Sequence, residues 1–129
     1  MGYSKSKPGS AKALEHIRTI CLALPDTTEK LSHGAPAFFV PGGQYLAFVD
    51  NHHDDGRLAA WLAAPPGAQE SLVAAEPKHF FRPPYVGPKG WIGINLDTGL
   101  EWSAVAALIE EGHAFISAKK KRRSARRAV

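Results

Sequence analysis

The sequence predicts an α+β fold in two layers, an antiparallel β-sheet packed against helices. Three observations carry that prediction: an amphipathic helical stretch near each end, a run of short strand-like segments between them with hairpin-sized links, and no repeated strand–helix–strand units. With 129 residues, 44% of them hydrophobic and 22% charged, the chain can bury about two thirds of its unfolded surface in one core and has no room for a second domain. A single domain is expected over residues 10–117. A lead-in over 1–9, rich in Lys, Ser, Pro and Gly, is expected to be flexible, and a basic tail over 118–129 to be disordered.

The first helix starts at Ser10, whose hydroxyl is a candidate N-cap. Leu14, Ile17, Cys21 and Leu24 then recur at three- and four-residue spacing until Pro25 stops the pattern. Strand signals follow at Thr28–His33, Ala37–Val40, Gln44–Asp50 and Leu58–Ala63. They are separated by Gly34-Ala35-Pro36, Pro41-Gly42-Gly43 and the stretch from His52 to Gly56, which predicts a meander. Pro65-Pro66-Gly67 ends it, and Gln69–Ala75 reads as a short helix with Leu72 and Val73 facing inward. After a Pro-rich passage, Trp91–Leu96 alternates as a half-buried strand does. Trp102, Val105, Leu108 and Ile109 mark a last helix, expected to break near Gly112 before Phe115 and Ile116 lead into the tail.

Several chemistries find no support in the residues. One cysteine, Cys21, excludes an internal disulfide framework and a Cys-based metal site within one chain, and its place on the helix stripe makes it a small core residue. No apolar run approaches the ~20 residues of a membrane span. Met1-Gly2-Tyr3-Ser4-Lys5-Ser6 fits the N-myristoylation pattern, but so short a pattern is common by chance, and no membrane partner is expected. His52-His53-Asp54-Asp55 offers imidazoles and carboxylates. Its neighbours point to opposite sides of an extended chain, however, and Asp55-Gly56 is itself a turn signal, so neither a metal nor a cofactor is expected. There is no Gly-x-Ser-x-Gly elbow, and Gly87-Pro88-Lys89-Gly90 lacks phosphate-loop spacing. No convergent acid, base or nucleophile set is visible, and the expectation is a protein that is not an enzyme.

Charge placement says more. Of sixteen basic residues, seven lie in the last eleven positions: Lys119, Lys120, Lys121, Arg122, Arg123, Arg126 and Arg127. Residues 1–112 hold nine basic against twelve acidic groups, a balance of −3. Within that acidic body no carboxylate lies between Glu76 and Asp97, where Lys78, Arg82 and Lys89 stand. Clustered cations attract polyanions of any sequence by releasing counterions from phosphates, so nucleic acid is the expected partner, bound with low sequence specificity. The stretch from His79 to Trp91 interleaves aromatic side chains with cations and Pro-stiffened backbone. It reads either as core packing or as a surface on which bases or planar ligands stack. On the second reading Phe38, Tyr85 and Trp91 line a small-molecule cleft, the alternative to nucleic-acid binding.

Leu24-Pro25, then Glu29, Gly34, Pro36 and Phe38, Tyr85 to Lys89 leading into Trp91-Ile92, Leu96-Asp97, Trp102, Val105, Leu108-Ile109 and Ala118-Lys119-Lys120 occur in an order that resembles the MmcQ/YjbR-like family of small bacterial proteins. The resemblance covers roughly residues 11–121. It implies a two-layer α+β fold similar to secretion chaperones, a double-wing arrangement and a DNA-binding role, while the cytoplasmic location expected follows from the absence of a spanning or signal-like run. A lysine expected after the glycine of the second hairpin is Gln44 here, and the run Arg122–Arg127 is added, which moves the expected phosphate contact toward the tail.

Overall fold

The computed structural model describes residues 6–127, with His53 and residues 120–127 described by their backbone alone. Three helices, α1 (Ser10–Leu22), α2 (Ala68–Ala75) and α3 (Trp102–Arg127), accompany six strands. These are β1 (Thr28–Ser32), β2 (Ala35–Val40), β3 (Gly43–Asp50), β4 (Leu58–Leu62), β5 (Phe80–Phe81) and β6 (Ile92–Asn95). All pairings are antiparallel and the sheet order is β1-β2-β3-β4-β6-β5. The meander therefore runs from β1 to β4, after which the chain passes through α2 and the short edge strand β5 before β6 returns beside β4. Strand β5 lies inside the passage read as Pro-rich connection, since two residues are too few to show a period.

The pairing register assigns each row of side chains to a face, because alternate residues of a strand point to opposite sides. Phe38, Leu46, Leu62 and Ile92 form one row. Leu62 lies directly under Gly112 of α3, so this row faces the helices. Ala37, Ala47, Trp61, Gly93 and Phe81 form the adjacent row, which faces the other way. We call that side the outer face.

Between Phe38 and Phe39 the register shifts, so that Phe38 pairs with Leu46 but Phe39 with Gln44. The unopposed residue is Tyr45. This bulge turns its ring inward to meet His113 edge-on at 5.2 Å and puts its hydroxyl 2.9 Å from that of Thr27. Helix α1 buries Ala13, Ile17 and Cys21, and α3 buries Val105, Ile109 and Ile116, both at helical spacing.

Four expectations change. Ser10 does not cap α1: Gly9 holds the N-cap position, and the Ser10 hydroxyl donates to Asp50 at 2.6 Å. The lead-in is tied down from Lys7 onward. Its backbone N–H donates to Asp50 at 2.8 Å, and its ammonium reaches the Gly56 carbonyl at 2.6 Å and Asp97 at 3.0 Å. Met1–Lys5, most of the myristoylation pattern, lie outside the described residues. Helix α3 does not break at Gly112. A Cβ there would stand 2.6 Å from the Ala63 carbonyl oxygen and 2.7 Å from Leu62 Cδ1, so the glycine marks where helix and sheet touch. Finally, the tail expected to be disordered from residue 118 continues α3 to Arg127. It contains no Gly or Pro, Ala, Lys and Arg are strong helix formers, and cations complement the negative end of the helix dipole.

Candidate functional site

Of the expected basic residues, Lys78 lies just before β5, Arg82 just after it, and Lys89 in a 3-10 turn, Gly87–Lys89, before β6; all three are exposed. Arg82 is positioned from within. Gln69 of α2 is buried, its amide nitrogen donates to the carbonyls of Gly87 at 2.9 Å and Trp91 at 2.6 Å, and its amide oxygen accepts from Arg82 at 3.3 Å. One side chain thus holds the whole segment 82–91 against α2. Lys119 is exposed and its ammonium sits 5.0 Å from the Phe115 ring centroid. The side chains of Lys120, Lys121, Arg122, Arg123, Arg126 and Arg127 lie outside those described, but their backbone continues α3 without interruption.

The expected cleft of Phe38, Tyr85 and Trp91 does not form. Phe38 is fully buried on the helix-facing row of the sheet, and Trp91 is 7% exposed at the entry to β6. Tyr85 is 71% exposed and belongs instead to a cluster on the outer face. Its ring lies 6.3 Å from Trp61 and 6.1 Å from His52, and His52 meets Trp61 edge-on at 5.1 Å. The cluster continues along the Trp61 row. Phe81 lies flat over Gly93, where a Cβ would come within 2.3 Å of the ring. The Arg57 guanidinium stacks 3.9 Å above Phe81 and donates to Asn95 at 3.0 Å, while Asn95 donates to the Lys78 carbonyl at 3.1 Å.

Trp61, His52 and Arg57 were not singled out in the sequence as members of a site. Strand alternation gives the parity of Trp61, but nothing local says which parity the helices cover. His52 belongs to the turn run for which no metal is expected, and its ring meets Trp61 and Tyr85.

The groups most suited to chemistry are engaged elsewhere. Burial pushes the Cys21 thiol up to about 12 and the Tyr45 phenol still higher, so neither supplies a nucleophile near neutrality. His79 Nδ1 lies 2.6 Å from the Thr98 hydroxyl, and His113 Nε2 lies 2.7 Å from the Pro25 carbonyl oxygen. A trough between α1 and α3, lined by Lys12, Glu15, Thr19 and Ile20, is floored by His16 stacked on Trp102 at 4.4 Å. No described helix is long and apolar enough to cross a membrane.

Comparison with known proteins returns one finding. A family model described as YjbR matches residues 22–115, well over half of the chain. Neither a curated protein nor a solved structure matches it. The matched span runs from the end of α1, through every strand, to the middle of α3, so it takes in the whole sheet, the Gln69 strut and the Trp61–Tyr85 cluster. The chain is a member of the YjbR family.

Proposed function

We propose that the protein is a non-enzymatic, cytoplasmic nucleic-acid-binding protein that holds the phosphate backbone without reading base sequence. The observation that carries this reading is the course of α3: a single helix leaves an acidic body and carries seven cations in its last turns. A helical backbone spaces those residues along one rod, so meeting a phosphate backbone carries less backbone ordering penalty than a coil would pay. Lys78, Arg82 and Lys89 add a second, weaker set on the body. Low sequence specificity follows from the chemistry, since contacts to phosphate position a protein but carry no base information. A non-enzymatic role is supported by the engagement of Cys21, Tyr45, His79 and His113 in the fold.

The test is binding of duplex DNA to the full chain and to a chain ending at Ala118, which retains Ile116, the last buried side chain described on α3. The expected result is loss of most affinity at near-physiological salt on truncation. Equal affinity of the two chains would overturn the assignment of binding to the tail.

A further inference from the structure

Three independent features coincide at the Trp61–Tyr85 cluster. The first is exposure: Tyr85, a large aromatic, is 71% exposed although it rests against two other rings. The second is backbone strain. Tyr85 holds φ at +62°, a left-handed conformation otherwise taken here by glycines and by Asp, Asn and His. It is unfavourable for a bulky side chain, and such strain gathers where a protein binds or switches. The third is an unmet donor. Trp61 is 7% exposed and its indole nitrogen is buried with no hydrogen-bond partner among the described residues, whereas buried N–H groups as a rule are paired.

Charge around the cluster is divided. Asp54 and Asp55 are exposed beside His52 and repel a phosphate there. Arg57 covers Phe81 while its backbone N–H donates to Asp55 at 2.9 Å, and farther along the chain Arg82 packs against Gly87, two residues beyond Tyr85. A ring and its phosphate would therefore lie in a defined sense, the ring toward Tyr85 and Trp61 and the phosphate toward Arg82, away from Asp54 and Asp55.

We infer that the Tyr85–Trp61 cluster is a stacking site for an unpaired nucleobase of a single-stranded nucleic acid, the Trp61 indole N–H meeting an acceptor on the base once Tyr85 swings aside. This rests on the polyanion reading and narrows it: the body distinguishes single strands with accessible bases from phosphate alone. Stacking of a base on an aromatic side chain tolerates any sequence, consistent with the absence of a base-reading motif.

The test compares two oligomers of equal length and charge, a twelve-nucleotide oligothymidylate and its abasic counterpart. The full-length chain is expected to prefer the base-bearing strand by about tenfold, the worth of one stacked base. Tyr85→Ala is expected to abolish the preference and Tyr85→Phe to retain it. Because Tyr85 is exposed, neither change threatens the fold, and thermal unfolding verifies this. A full-length chain with its seven tail cations changed to Gln should bind both strands more weakly and keep the ratio. Equal affinity of the wild type for the two strands, or a preference that survives in Tyr85→Ala, overturns the stacking site and leaves the polyanion reading standing. A preserved ratio with no weakening in the tail variant does the reverse. No affinity for either strand overturns both.

Discussion

Among the described residues Gln69 is the one buried polar side chain outside the sheet, and its amide makes two donations to backbone carbonyls and one acceptance from Arg82. Replacing it with Leu keeps the volume but strands the Gly87 and Trp91 carbonyls, at about 1–3 kcal/mol for each unmet buried group. Gln69→Leu is expected to lower stability by about 2–4 kcal/mol in urea unfolding and to free the segment that presents Tyr85. A loss under about 0.5 kcal/mol would show that the strut is dispensable. Cys21 makes a pH-dependent contribution. Burial is the main reason its pKa rises from 9.0 to about 12, reinforced by the Glu29 charge and opposed by a hydrogen bond with Tyr45. Between those pH values the unfolded chain sheds the thiol proton while the native chain keeps it. The unfolded state then binds fewer protons, and stability falls as pH rises. Tyr45 acts in the same direction at higher pH. The urea midpoint is expected to drop between pH 9 and 11, less steeply in Cys21→Ala, and an identical slope in the two proteins would contradict this cause.

At the scale of elements, Gly112 separates two meanings that look alike in a sequence. A glycine inside an amphipathic pattern signals either a break or a close approach, and local residues cannot tell which, because the contacting Leu62 and Ala63 are about fifty positions away. Helix propensity alone predicts that Gly112→Ala stabilises by about 1 kcal/mol. Contact with the Ala63 carbonyl and the Leu62 side chain predicts a net loss of about 1–3 kcal/mol, measurable by chemical denaturation; a net gain would mean that α3 shifts freely away from the sheet. The same limit explains what else was and was not legible. The stripe of Ile17 and Cys21 and the first four strands follow from periodicity, because period is local. Phe38 and Trp61 both lie in alternating strands, and alternation alone does not say which face of the sheet the helices cover. Only the register with β3 and β6, together with the position of α3, decides which of the two reaches the outer face. The Trp61–Tyr85–His52 contacts join three separate segments, a link that no spacing rule expresses. Ser10 was a sound cap by residue type, but Asp50, forty positions away, offered its hydroxyl a charged partner.

Across the whole molecule, the chain divides its charge between an acidic body and a helix end bearing seven cations. The buried Val105, Ile109 and Ile116 and the close approach of Gly112 to Ala63 and Leu62 hold the first part of that helix on the sheet. On the proposed function, electrostatics set the affinity and the outer-face cluster sets which kind of strand is preferred. The most direct measurement is the salt dependence of duplex DNA binding by the full chain. If all seven tail cations meet phosphates, log K should fall against log salt with a slope approaching about −6, and removal of residues 119–129 should flatten it to the small value left by Lys78, Arg82 and Lys89. A slope near zero, or one that truncation leaves unchanged, would contradict the account.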